Sequence, residues 1–272
     1  MRIAYGDRSP QYAIRLSQYV LKMQLNKHAN GLLSIYFTAG YPTLDSTVSI
    51  AKALEDAGVD FLEIGFPYSD PVADGPTIQH ASEESLKNGM TLKVLFEQLK
   101  DLRQHVSIPV YLMGYVNPVL QFGVENFCKA CKEVGVNGTI IPDLPMYEYE
   151  ELYKGIFEKN GISNIFLVTP QTSEERIRKI DALSTNFIYL LSSNAITGKN
   201  LEVKDQSEAY FKRIKDTDLE NPFIIGFGIH DKNTFSKATT YANGAIVGTA
   251  FVKLLAEENY LEKIPDFIQS FR

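Results

Sequence analysis

The chain has little cysteine, no long apolar run and no excess of positive charge, and each absence narrows what it does. Only two cysteines occur in 272 residues, Cys128 and Cys131, in the order Cys-Lys-Ala-Cys. Such a pair serves redox chemistry or forms half of a zinc site, and the latter calls for a second pair or nearby histidines. No second pair exists, and His28, His80, His105 and His230 show no metal-ligand spacing. The pair falls mid-helix by pattern, so both side chains share one helix face as ordinary reduced thiols. The longest apolar runs, such as residues 32–37, are far shorter than the roughly 20 residues that cross a bilayer. No secretory apolar segment opens the chain. A formal charge of −6 argues against a general binder of nucleic acid or anionic membrane. The expectation is a soluble cytoplasmic protein.

What is present is a regular alternation. Apolar β-rich runs fall at 33–38, 59–65, 108–115, 138–142, 165–169, 187–192, 223–228 and 245–248. Between and after them lie stretches of helical period at 44–57, 91–105, 124–134, 146–159, 174–183, 204–216, 232–241 and 250–271. Near-continuous apolar strands covered by helices mean a parallel sheet. Eight such units at this length predict a closed (β/α)8 TIM barrel of the α/β class. An open doubly wound sheet is the alternative, but its glycine fingerprint is missing: the first strand leads into Thr38-Ala39-Gly40-Tyr41-Pro42. No linker divides the chain. Residues 1–27 read as a helical N-terminal extension, and 28–272 as a single barrel domain.

In a barrel the chemistry gathers at the C-terminal strand ends. The second strand carries an acid in an apolar run, Phe61-Leu62-Glu63-Ile64-Gly65, and leads into Phe66-Pro67-Tyr68-Ser69-Asp70-Pro71-Val72-Ala73-Asp74-Gly75. Alternation puts Phe61, Glu63 and Gly65 on one face, and that face is the barrel interior, since the other would press Glu63 against helices. Burial there raises the carboxyl's pKa and suits it to proton transfer near neutral pH. The other reading, a structural acid tied to a Lys or Arg, finds no basic partner in the neighbouring strand interiors. Taken alone, Asp74 before Gly75 reads as a turn former, as does Asp70 before Pro71. Tyr189, near the end of its strand, reads equally as core packing or as part of a site.

Glycines at three successive strand ends suggest an anion site: Thr197-Gly198, Gly226-Phe227-Gly228 and Gly248-Thr249. Barrels commonly hold a phosphate there, between backbone N–H groups and a helix start. The other reading is tight turns alone. His230, just beyond, reads as a solvated loop histidine.

The segments Leu33-Ser34-Ile35-Tyr36-Phe37-Thr38-Ala39-Gly40-Tyr41-Pro42, Glu63 to Gln79, Tyr189-Leu190-Leu191-Ser192 with Ile196-Thr197-Gly198, and Gly226-Phe227-Gly228-Ile229 together resemble the tryptophan synthase alpha subunit family. The likeness runs from about Leu32 to the C-terminus. It implies a lyase that splits indole-3-glycerol phosphate into indole and glyceraldehyde 3-phosphate in tryptophan biosynthesis. It implies Glu63 as acid/base catalyst and Asp74 as the carboxylate facing the indole N–H. Tyr36 and Met113 would help form the indole pocket, with Tyr189 and Thr197 also lining the substrate. Gly198, Gly228, Gly248 and Thr249 would hold the phosphate. No cofactor or metal is implied for this chain; pyridoxal phosphate is expected only in a partner beta subunit, within an alpha2beta2 heterotetramer. Asn117-Pro118 and the Glu63–Asp74 loop lie on the face implied to meet that partner.

Three features depart from the family pattern. Residues 1–27 do not match its short leading helix. Ala195 stands where Gly is usual and Ser193 where a basic residue is common, which bears on how that loop closes. Thr249 replaces the more usual Ser and keeps a hydroxyl and an N–H. The alternative function is a non-catalytic, phosphate-binding barrel that activates a beta subunit, with intact Glu63 and Asp74 against it. Another phosphate-sugar aldolase or isomerase is a third reading, disfavoured because such enzymes often use a Schiff-base lysine at a strand end and no strand interior contains a lysine.

Overall fold

The computed structural model describes residues 25–191 and 205–272. Most of the expected N-terminal extension, and Ser193, Ala195, Thr197 and Gly198, lie outside the described residues.

Among the described residues nine strand segments form one parallel sheet: β1 Leu32–Thr38, β2 Phe61–Gly65, β3 Val110–Met113, β4 Gly138–Ile140, β5 Ser163–Ile165, β6 Leu167–Val168, β7 Ile188–Leu191, β8 Phe223–Gly226 and β9 Gly244–Val247. Their order is β5-β4-β3-β2-β1-β9-β8-β7-β6. The two end strands, β5 and β6, are separated only by Phe166, whose carbonyl accepts from the Tyr189 N–H at 3.0 Å. They are one extended stretch whose ladder passes from β4 to β7, so the sheet closes on itself as a TIM barrel. The expected fifth strand, 165–169, is corrected accordingly: it begins at Ser163 and is interrupted at Phe166, where the hydrogen-bonding partner changes.

Alternation sorts the side chains as the period of two requires. Leu62 and Ile64 face the helices, whereas Phe61, Tyr111, Phe187 and Tyr189 face inward. Three of these interior rings form an aromatic floor, with centroids 5.9 Å apart for Phe61–Tyr111, 5.6 Å for Phe61–Phe187 and 5.1 Å for Tyr111–Phe187. Residues 25–29 close the N-terminal end. The Leu25 N–H donates to Asn186 Oδ1 at 3.2 Å, and Asn243 Nδ2 donates to the Lys27 and Ala29 carbonyls at 2.9 Å.

Several elements differ from the sequence expectation. The helix Pro76–Lys87 follows the acid-bearing loop, where no helix was expected. Its buried positions include Ala81, Ser82 and Ser85, too small and polar to stand out as an apolar stripe, and Pro76 opens it with φ already suited to a first turn. Asn117-Pro118, expected as a turn, lies in the first turn of the helix Val116–Phe122, where a missing N–H does no harm. The Asp143 carboxylate accepts from the first N–H of that helix, Val116, at 2.8 Å. The expected final helix, 250–271, is two helices, Thr249–Leu254 and Tyr260–Gln269, broken where Asn259 takes φ +55°. The helix expected at 91–105 is interrupted by a 3-10 turn at Leu99–Asp101, and that at 146–159 by a π-helical turn at Tyr149–Tyr153. Cys128 and Cys131 are free thiols buried on the inner face of the helix Val124–Val134, and burial raises the pKa of both.

Candidate functional site

The interior of the barrel holds one carboxyl above the aromatic floor. Glu63 is 0% exposed, and neither of its side-chain oxygens has a hydrogen-bond partner. Its register neighbours are Tyr36 on β1 and Tyr111 on β3. Burial alone pushes its carboxyl up to about 8, because the charged form has lost its water. The acid is therefore protonated at neutral pH and holds a transferable proton.

The second carboxyl sits at the rim. Asp74 is half-buried on the loop leaving β2 and lies near a hydroxyl from the segment after β3: Tyr115 Oη donates to Asp74 Oδ2 at 3.3 Å. That hydroxyl in turn accepts from the Ala73 N–H at 2.9 Å, so one tyrosine fixes both the loop backbone and the carboxyl. Gln79, one turn into the following helix, donates to the Asp74 carbonyl at 2.9 Å. Tyr68 stacks on Tyr115 with centroids 5.3 Å apart. Burial raises Asp74 to about 6, opposed by the Tyr115 hydrogen bond. Between about 6 and 8 one site thus contains an ionised and a protonated carboxyl, set apart by environment.

Two cavities open at the C-terminal end of the barrel. The inner, of about 230 Å³, is lined by Tyr36, Asp74, Met113, Tyr189, Gly228, Gly248 and Thr249. All of the expected site residues within the described segments, Glu63 excepted, therefore meet at one cavity. The outer, of about 620 Å³, shares Tyr36, Asp74, Met113 and Phe227 with it and extends past Tyr68, Tyr115 and Arg176. Glu63 lines neither cavity. Tyr36 and Tyr189 stand over it, each with its hydroxyl laid across a glycine of the adjoining strand; a Cβ at Gly65 or Gly226 would collide with the Tyr36 or Tyr189 hydroxyl respectively.

At the far end of the inner cavity, Phe227 and Gly228 take φ values of +71° and +77°, and Gly248 caps the helix Thr249–Leu254. Gly228, Gly248 and Thr249 all line this cavity, and the helix start there offers unpaired backbone N–H groups suited to an anion. His230, expected as a solvated loop residue, is exposed but lines this cavity, with Nδ1 3.0 Å from the Gly228 carbonyl. Lys253 lines it too, four residues beyond Thr249 on the same helix face. Sequence reasoning passed over Lys253, although that spacing was visible, and over Tyr115 and Phe227, which carried no local signal. Among the described residues no group of three or more His, Cys, Asp or Glu side chains is placed to hold a metal ion. Among them, too, no helix is long and apolar enough to cross a membrane.

The chain is similar to known proteins over most of its length. The sequence profile of the tryptophan synthase alpha chain family matches residues 22–268. The tryptophan synthase alpha chain of Flavobacterium psychrophilum is 58% identical over 237 residues, covering 87% of this chain and 93% of that one. That of Christiangramia forsetii is 55% identical over 241 residues, covering 89% and 94%. Among solved structures, a chain of the tryptophan synthase complex from Pyrococcus furiosus superposes with a TM-score of 0.81 at 34% identity, covering 89% of this chain and 98% of that one.

Replacing Tyr115 by Phe removes the donor that favours the charged form of Asp74. The Asp74 carboxyl is expected to titrate above its present value of about 6, read by carbon-13 NMR with Asp74→Asn as the assignment control. An unmoved titration would mean that the Tyr115 hydrogen bond does not hold this carboxylate.

Proposed function

This chain belongs to the tryptophan synthase alpha chain family, and we propose that it cleaves indole-3-glycerol phosphate to indole and glyceraldehyde 3-phosphate with Glu63 and Asp74 as its two working carboxyls. The family catalyses cleavage of indole-3-glycerol phosphate in tryptophan biosynthesis. The observation that carries the assignment here is the pairing of environments: a fully buried, unpartnered acid inside the barrel and a half-buried, hydrogen-bonded acid at its rim.

Breaking the bond between indole C3 and the glycerol carbon requires C3 to be protonated first. Glu63 supplies that proton after turning its side chain upward into the inner cavity, and no hydrogen bond holds it in its buried position. Positive charge then spreads over the indolenine toward N1, where the ionised Asp74, steadied by Tyr115, stabilises it. Glu63, now a carboxylate, accepts the proton of the adjacent side-chain hydroxyl. The carbonyl forms, the carbon–carbon bond breaks, and its electron pair returns to the ring, leaving neutral indole and a protonated Glu63. Tyr36, Met113 and Tyr189 supply the walls of the indole pocket.

The phosphate is assigned to Gly228, Gly248 and Thr249, and Gly198 and Thr197, which lie outside the described residues, are assigned to the same substrate. The binding energy of the phosphate, remote from the reacting carbon, goes into orientation. The chemistry runs on two carboxyls, so no cofactor is assigned to this chain, and pyridoxal phosphate is assigned to the partner beta subunit. That partner, in an alpha2beta2 assembly, fits the side of the barrel where Val72 follows β2, Leu120 follows β3 and Tyr147 follows β4, with exposures of 78%, 47% and 73%. Large apolar side chains left in water on one rim favour a protein partner. The cytoplasm is the proposed location.

The test is indole release from indole-3-glycerol phosphate by the full chain, alone and with a matched beta subunit. Slow release that rises with beta is expected. Glu63→Gln should abolish it in both conditions while inorganic phosphate still binds, and Asp74→Asn should lower it by about 100-fold; wild-type turnover in the first variant would refute the assignment. A bell-shaped pH profile is also expected. Activity rises as Asp74 ionises near 6 and falls as Glu63 loses its proton near 8, whereas a flat profile across that window would contradict these roles.

A further inference from the structure

Tyr36 deserves a role beyond that of a wall. It is the register partner of Glu63 across the β1–β2 pair, and both side chains enter the barrel. Its ring rises toward the mouth, so that its hydroxyl lies over Gly65, the inward-facing position next above Glu63 on β2. The hydroxyl therefore occupies the layer between the Glu63 carboxyl and the cavities, and Tyr36 lines both of them. Gly65 has no side chain in the one place where a Cβ would evict that hydroxyl.

The hydrogen bonding is unfinished on both sides. The Tyr36 hydroxyl lies 3.5 Å from Thr38 Oγ1, at the outer limit of a hydrogen bond, and so has capacity for a better acceptor. One layer below, both Glu63 oxygens have no partner at all. A carboxyl turning upward from that position enters the layer that holds the Tyr36 hydroxyl. Of the other nearby phenols, Tyr111 belongs to the aromatic floor, and Tyr189, which also faces Glu63 and Tyr36, lays its hydroxyl over Gly226 on β8 and not over Gly65 next above the acid. The groups whose charge bears on Tyr36 are Glu63 from β2, Asp74 from the loop after it and Tyr115 from the segment after β3. The acids and burial together hold the Tyr36 hydroxyl in its protonated, donating form.

We propose that Tyr36 is a positioning residue for the lyase reaction: its hydroxyl donates a hydrogen bond to the Glu63 carboxyl as it swings into the cavity, and so fixes the acid beneath indole C3. This inference rests on the lyase reading of Glu63.

Tyr36→Phe removes one oxygen and keeps the ring. The expected result is a fall in kcat of about tenfold, the size of one hydrogen bond to a charged group, with KM held within about twofold. The alkaline limb of the kcat profile should move to higher pH, because the Glu63 carboxylate loses a donor that stabilises its charged form. 3-Fluorotyrosine at position 36, a more acidic phenol and a stronger donor, should move that limb the other way. Released indole is neutral and is read after extraction into an apolar solvent, which leaves the phosphorylated substrate in water. If kcat and the alkaline limb are unchanged in Tyr36→Phe while the wild type releases indole, the positioning role is wrong and the lyase reading stands. A raised KM with kcat preserved makes Tyr36 a pocket wall only and also overturns the role. A wild type that releases no indole, with or without beta, removes the lyase reading and this inference together.

Discussion

The constraint on which the rest depends is the burial of the Glu63 carboxyl without a partner. An acid in that position is tolerable only while neutral, since the charged form would lose its hydration and gain nothing in return. The barrel enforces the position through its pleat. The same alternation that puts Leu62 and Ile64 under the helices puts Phe61 into the floor and Glu63 directly above it. Three packed aromatic rings close the space below, and two tyrosines stand above, each admitted by a glycine on the adjoining strand. The proton on Glu63 is thus a consequence of packing.

Asp74 owes its different state to a different setting. It is only half-buried, and Tyr115 donates to it, so it loses its proton about two pH units earlier than Glu63. Both acids come from one strand–loop unit, eleven positions apart in sequence. The strand supplies rigidity and depth for one, and the loop supplies access and a neighbouring tyrosine for the other. The turns at Gly228 and Gly248, which follow β8 and β9, line the same inner cavity as Asp74 and suit an anion. The division of the barrel into a structural base and a reactive mouth follows from these placements.

Much of this was legible along the chain. The strand periods gave the barrel, and an acid in an otherwise apolar strand marked Glu63 and its face. The helix Pro76–Lys87 was hidden because its buried side includes Ser82 and Ser85, which do not read as core. Asn117-Pro118 looked like a turn because proline punctuates turns and first helical turns alike. Asp74 could not be told from a turn former by local pattern, since the tyrosine that holds it lies 41 residues away. Nor does spacing along a strand reveal that the Tyr36 hydroxyl crosses to the next strand and covers Gly65, a relation that exists only after the sheet has closed.

The most direct test of the buried, neutral acid is the pH dependence of unfolding free energy in the wild type against Glu63→Gln. The folded-state pKa of Glu63 is raised to about 8 from an ordinary 4.5, so unfolding releases a proton between those values. Wild-type stability should therefore fall relative to the variant as pH rises through that window, and level off above about 8. Curves that run parallel from pH 4.5 to 8 would contradict the buried neutral carboxyl and the proton it is held to supply.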